Sequence, residues 1–257
     1  MKKVIKDYKK IGAIILAAGK GTRMNSKKVN KVTLQLADKP LILHTVHLIE
    51  NIKIGVLVVV VGFAKQSVMK LLNNGIIFAE QKIRNGNARA VLYGFNKLPD
   101  VIEDVIVLNG DDSAFYTDKI VTRLIDHHYK SNASFTLLTT EVKDPKGLGR
   151  IIRDKKGNIS SIREEKDSTL KQKKIKEVNP ACYIFKVNFL KKYLKMVEKS
   201  SVTGEYYVVS LVDIGVKHKE KIETLKIKKF PWRGVNTEEE LLEAEKLYTK
   251  LYNKKKF

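Results

Sequence analysis

Ile11-Gly-Ala-Ile-Ile-Leu16-Ala17-Ala18-Gly19-Lys20-Gly-Thr-Arg23-Met24, with Lys31 seven residues further on, decides the fold of this chain. The apolar part reads as a short buried strand bounded by a glycine turn. Small residues and glycines at its end let backbone N–H groups approach anionic oxygens closely. Lys20, Arg23 and Lys31 supply compensating charge. The stretch therefore predicts a phosphate-bearing ligand just beyond the first strand. A P-loop needs four residues between its first glycine and Gly-Lys-Ser/Thr, a spacing not met here. A dinucleotide fingerprint needs a third glycine where Met24 stands. An ordinary tight turn remains the alternative for two glycines alone, and the clustered cations weigh against it.

Outward from this stretch, Val56–Val61, Ile76–Ala79 and Asp104–Leu108 repeat the buried-strand pattern. Helix-period segments at Leu41–Ile49, Lys65–Leu72, Asn87–Leu98 and Asp118–Tyr129 alternate with them. This order predicts an α/β fold, Rossmann-like, with a mostly parallel sheet and helices on both faces. Ligands then bind beyond the carboxyl ends of the strands. From Ala133 the texture becomes β-rich: Ser134–Thr140, Arg150–Arg153, a turn at Lys155–Asn158, Ile159–Ile162 and Glu177–Phe185 read as strands. Ser168–Lys176 reads as a mobile lysine-rich linker. Val187–Glu198 and Tyr206–Val216 read as helices, and Thr237-Glu-Glu-Glu240 is a capping box opening a last helix to about Tyr252. One domain is expected over 1–257, with a nucleotide-binding half over 1–132, a small sugar-binding half over 133–236 and the C-terminal helix over 237–257.

The 257 residues carry 50 Lys and Arg against 28 Asp and Glu, a formal net charge of +22. Eight of the fifty cations are arginines, whereas base readout and phosphate clamps favour arginine's planar fork. The charge is read as a solvated lysine surface that attracts anionic small molecules, without a dedicated nucleic-acid site. The longest apolar run, Val56–Val61, is too short to span a bilayer, and the charged N-terminus lacks a signal peptide's pattern. A cytoplasmic protein without membrane attachment is expected. The single cysteine, Cys182, lies in an apolar run and reads as core packing.

Val105-Ile-Val-Leu-Asn-Gly-Asp111-Asp112 is a second strand ending at the same edge. A carboxylate there is a natural oxygen ligand for Mg²⁺ beside substrate phosphates; a turn-capping Asp is the plainer alternative, and Asp112 fits it better. Together with Lys31-Val32 and Asp38-Lys-Pro-Leu41, the opening stretch resembles the signature of sugar-nucleotidyltransferases, the nucleotide-diphospho-sugar pyrophosphorylases. The likeness is greatest to the uridylyltransferase domain of N-acetylglucosamine-1-phosphate uridylyltransferases. Asn30 and Asp38 replace that family's Pro and Gly.

That resemblance implies a Mg²⁺ site at Asp111 and at Asn236 of Gly234-Val-Asn-Thr237. It implies that Arg23 neutralises the departing pyrophosphate and that Lys31 bridges the reacting phosphates. Nucleotide contacts fall on Leu16, Ala17, Ala18, Gly19, Gln81, Gly86 and Asn87, with Asn87 in place of Thr and Lys82–Asn85 lengthening the spacing. Sugar contacts fall on Gly149, Glu164 and Asn179, the last followed by Pro180-Ala181 where the family has Thr-Gly. Gly204-Glu-Tyr-Tyr207 matches a signature of the uridylyltransferase branch. The implied reaction joins UTP and N-acetylglucosamine 1-phosphate, with another sugar 1-phosphate, another nucleotide or a catalytically weak relative as alternatives. The bacterial enzyme's hexapeptide-repeat β-helix and acetyl transfer are not expected here. With the trimer-building helix absent, a monomer or weak dimer is expected.

Overall fold

The computed structural model describes residues 7–21, 28–228, 230–232 and 234–252. Arg23, with Met24 beside it, lies outside the described residues. β1 (Ile11–Ala17) is buried along nearly its whole length, as a central parallel strand requires. It runs parallel to β4 (Val56–Val61) on one side and β6 (Asp104–Asn109) on the other, with Leu16 opposite Val60 and Asn109. β5 (Ile77–Glu80) adds in parallel beyond β4. Two residue-pair strands, β2 (Gln35–Leu36) and β3 (Lys39–Pro40), form a small ribbon leading into α1 (Leu41–Ile52). α2 (Lys65–Met69) and α3 (Asn87–Phe95) complete the crossovers. All four parallel strands therefore deliver their following loops to one edge, which is where the sequence places its motifs.

α4 (Asp118–Ser131) is capped by the Thr117 hydroxyl and leads into the second half. There β7 (Phe135–Glu141), β8 (Gly149–Arg153), β9 (Ile159–Arg163), β10 (Glu177–Asn179), β11 (Cys182–Lys186) and β12 (Ile222–Ile227) extend the same sheet. Its order is β5-β4-β1-β6-β11-β7-β10-β8-β9, with β12 parallel to β7. β11 runs antiparallel to both β6 and β7 and so joins the two halves. Phe135 and Phe185 stack 4.2 Å apart in that seam. Cys182 is fully buried there, and desolvation pushes its thiol far above the ordinary value, consistent with packing alone.

Three expectations need correction. The run 177–185 is two strands, because Pro180 carries no N–H and Ala181 adopts φ +57°. The chain leaves β10 at that point and re-enters the sheet on the other side of β7. The segment 168–176 is not a featureless linker: Thr169 and Gln172 form a reciprocal capping box that starts α5 (Leu170–Lys173). The lysines around it hid that signature. The helix-period stretch 206–216 becomes helical only as α7 (Ser210–Lys217), since the backbone of 206–208 is bonded to the start of α3. α6 (Val187–Tyr193) and α8 (Glu238–Tyr252) fall where expected, with the last turn of the former tightened to a 3-10 helix at Leu194–Met196.

Candidate functional site

A cleft of about 510 Å³ opens at the carboxyl edge of β1, β5 and β6. Leu16, Ala17, Ala18 and Gly19 form its first wall. Asn30, fully buried, shapes that wall. Its amide nitrogen donates to Ala17 O (2.9 Å), Gly19 O (3.3 Å) and Phe63 O (2.8 Å), and its amide oxygen accepts from Val32 N (3.1 Å). Residue 30 therefore ties the loops after β1 and β4 together through a side chain. A sequence reading that treats Asn30 only as a replacement for Pro misses this role. Lys20 is exposed at the rim, as a solvated loop cation is.

The opposite wall carries Gln81, Gly86 and Asn87. Gln81 is buried just past the end of β5, and its side-chain amide nitrogen donates to Gly86 O (3.0 Å). Gly86 has φ +121°, and a Cβ there would come within 2.3 Å of Tyr206 O, so only glycine fits. The approach is that close because Tyr206 O accepts Ala88 N–H (2.9 Å), Tyr206 N–H donates to Asn85 O (2.8 Å) and Val208 N–H donates to Asn87 Oδ1 (2.7 Å). The Gly204–Tyr207 signature thus clamps the start of α3 and places Glu205 in this cleft. Arg84, on the loop between β5 and α3, also lines it; neither residue was singled out from the sequence.

Lys31, Asp111 and Asn236 come together although they lie far apart in the chain. The Lys31 ammonium donates to Val235 O (2.8 Å) and Asn236 Oδ1 (3.1 Å) and forms an ion pair with Asp111 Oδ2. A cation is thus already held by a carboxylate, an amide oxygen and a carbonyl, the hard oxygen set that suits Mg²⁺. The residues fit the metal expected of them. Asn236 is fixed from behind: Thr237 Oγ1 accepts Glu240 N–H (3.2 Å), and the Glu240 carboxylate accepts the Asn236 N–H (2.6 Å). The Thr237 hydroxyl thus caps the start of α8 as expected, and the Glu240 bond to the preceding residue anchors Asn236.

A second cleft of about 240 Å³ adjoins the first and shares Asn87, Asn109 and Asn236 with it. Gly149, Glu164 and Asn179 all line it. A Cβ on Gly149 would lie 3.4 Å from Glu164 Oε1, so the two face each other closely. Burial, with Asp167 adding, pushes the Glu164 carboxyl up to about 7 against the opposing pull of Arg150. The Asn179 amide is engaged at both ends, donating to Tyr183 OH (2.6 Å) and accepting Ala181 N–H (3.1 Å). Asp112 also lines this cleft, accepting from Asn109 Nδ2 (2.7 Å). Burial and the neighbouring Asp111 raise its carboxyl to about 7, opposed by Lys31 and by the Asn109 bond. It is more than the turn cap its sequence position suggested.

The Nucleotidyl transferase family profile matches residues 12–251, and the chain belongs to that family. Bifunctional protein GlmU of Thermoanaerobacter pseudethanolicus is 37% identical over 240 residues, covering 93% of this chain and 52% of that protein. Bifunctional protein GlmU of Caldicellulosiruptor saccharolyticus is 37% identical over 240 residues, covering 92% and 51%. The chain spans about half the length of the curated relatives it matches. A solved Bacillus anthracis protein, described as a glucose-1-phosphate thymidylyltransferase, shares the fold with a TM-score of 0.75 at 20% identity, over 93% of this chain and 95% of that one. Among the described residues, no helix is long and apolar enough to cross a membrane.

Proposed function

We propose that this nucleotidyl transferase joins UTP to N-acetylglucosamine 1-phosphate with release of pyrophosphate, in a Mg²⁺-dependent reaction. The observation that carries the reading is the meeting of two clefts at one cluster, Lys31 with Asp111 and Asn236. The larger cleft suits the nucleotide and the smaller one the sugar. Residues 1–132 would then serve the nucleotide, 133–236 the sugar, and 237–257 would back Asn236 through α8.

The attacking oxygen of a sugar phosphate is anionic near neutral pH, so the chain needs to position and neutralise rather than to remove a proton. Lys31 lies where it can neutralise charge shared by the sugar phosphate and the α-phosphoryl group. Arg23 is assigned to the departing pyrophosphate. Asp111 and Asn236 would hold the magnesium, which would supply further positive charge beside the reacting phosphates. The walls at Leu16–Gly19 and Gln81–Asn87 hold the base, with the Gln81 amide oxygen accepting from a pyrimidine N–H. Gly149 and Glu164 face the sugar hydroxyls; Asn179 keeps one amide hydrogen for the sugar beyond its bond to Tyr183.

One observation favours glucose 1-phosphate as a second reading of the sugar: the Asn179 oxygen is already occupied by Ala181 N–H. The test is pyrophosphate release from UTP or dTTP with each of the two sugar phosphates. Turnover highest with UTP and N-acetylglucosamine 1-phosphate supports the proposal. No release with any pair overturns it in favour of a binding protein.

A further inference from the structure

The smaller cleft has two walls, Gly147-Leu-Gly149 at the start of β8 and Glu164 after β9. Neither wall is rigid by virtue of regular structure alone. Gly147 sits at φ +80° in a loop, and Glu164 precedes a short 3-10 turn at Glu165–Asp167. One ion pair links them. Arg150, whose side chain is 1% exposed, donates through Nη2 to Glu165 Oε2 (2.6 Å) and to Lys173 O (3.4 Å), and through Nη1 to Leu148 O. The same Glu165 oxygen accepts Gly147 N–H (3.0 Å). Burial opposes charge on Glu165, but the bonds from Arg150 and Gly147 hold its carboxyl below the usual range.

A pair kept for stability alone is a poor reason to bury a guanidinium, because apolar residues of similar volume do as well or better. The Arg150 Nε is moreover buried without a partner. The shorter bonds converge on the backbone of one cleft wall and on the residue next to Glu164 in the other, while the longest, to Lys173 O, reaches α5. Glu164 itself is held by its carbonyl, which accepts from Asp167 N (3.0 Å) and Ser168 Oγ (2.9 Å).

We propose that Glu165, acting with Arg150, is a positioning residue that sets the width of the sugar cleft by tying Gly147 to the Glu164 turn. It touches neither substrate. The inference rests on the sugar-1-phosphate reading of that cleft. Its kinetic signature is a change in sugar-phosphate binding that leaves the nucleotide half untouched, since among the described residues the partners of Glu165 are Gly147, Arg150 and Lys173, none of them in the larger cleft.

The experiment compares wild type, Glu165→Ala and Glu165→Gln. For Glu165→Ala, KM for the sugar 1-phosphate rises roughly tenfold, the scale of a cleft wall displaced by a fraction of an ångström, while KM for the nucleoside triphosphate and kcat stay within about twofold. Glu165→Gln keeps an acceptor for Gly147 and Arg150 and is expected to recover most of the loss. Amide hydrogen exchange of residues 146–149, measured without substrates, is expected to speed up in the alanine variant and less in the glutamine one. A folded alanine variant with unchanged sugar KM, or with both KM values raised together, overturns the proposal. If the alanine variant does not fold, Glu165→Asp decides, since it keeps the charge but is one methylene too short to hold Gly147 and Arg150 together: unchanged sugar KM together with unchanged exchange overturns the proposal. An inactive wild type refutes the reading of the cleft, and the exchange measurement still settles whether Glu165 holds the loop.

Discussion

Replacing Lys31 by Ala removes a cation that sits against three oxygens, two of which belong to the proposed metal pair. The side chains of Lys31 and Asp111 are only 12% and 14% exposed. Breaking a fully buried pair by removing one partner costs about 3–5 kcal/mol; here both groups reach a cleft open to water, so the loss is about 1–3 kcal/mol. Thermal unfolding should therefore shift down by several degrees. The effect on turnover is larger. A preorganised charge lost from a phosphoryl-transfer site costs about 3–4 kcal/mol in the barrier, roughly a hundredfold to a thousandfold in kcat. Nucleotide KM should move by no more than about threefold, because the base-binding walls at Leu16–Gly19 and Gln81–Asn87 do not depend on this ammonium. Removing it also takes a competing cation off the Asp111 and Asn236 oxygens. Mn²⁺ titrated into the variant without nucleotide should bind more tightly than in wild type. A kcat within threefold of wild type would refute the assignment of Lys31 to the reacting phosphates. Unchanged Mn²⁺ affinity would refute the idea that ammonium and metal compete for one oxygen set.

Other outcomes follow from the same geometry. Asp111→Asn should abolish metal-stimulated pyrophosphate release while the protein stays folded, and a variant with unaltered Mg²⁺ dependence would remove Asp111 from the metal site. Glu164, with its carboxyl raised to about 7 from the model-compound value of 4.5, favours its protonated form in the folded state. Stability from this group is full below about 4.5 and is lost as pH rises through about 7. Glu164→Gln, which cannot ionise, should therefore gain on wild type across that window and hold a constant advantage above it; parallel melting curves at every pH would contradict the shift. Ala181 pays for φ +57° without a glycine's freedom. Ala181→Gly should raise stability by about 0.5–1 kcal/mol after the entropy of the unfolded chain is included, and a lower melting temperature would show that the methyl contributes packing that outweighs the strain.

The sequence-to-structure correspondence divides according to how local the determining physics is. β1, β4 and β6 are continuous apolar runs, and a run of that kind placed between helix-period segments leaves few alternatives to a buried parallel strand. Their shared carboxyl edge follows from the crossover rule, so the placing of Gly19 and Asp111 at that edge is legible in the sequence, whereas Gln81 is marked only by the family resemblance. The break after Asn179 was less so: Pro180 marked it, yet Cys182–Lys186 looked like its continuation, and only pairing with β6 and β7 shows that the chain changes place in the sheet. The meeting of Asn236 with Lys31 lay wholly beyond sequence physics, since it depends on contacts across more than two hundred residues. Asn30 was illegible for a different reason. An asparagine in a loop reads as a turn former, whereas here three backbone carbonyls from two separate loops share its amide nitrogen. Side chains that satisfy backbone groups leave no periodicity, and such residues are the ones that convert a strand edge into a site. The Arg150–Glu165 pair belongs to the same class, because its partners are a loop carbonyl and a loop N–H. The legible part of this protein is thus the platform. The illegible part is the set of polar side chains that stiffen the loops on it, and it is there that substitutions should alter substrate choice without altering the fold.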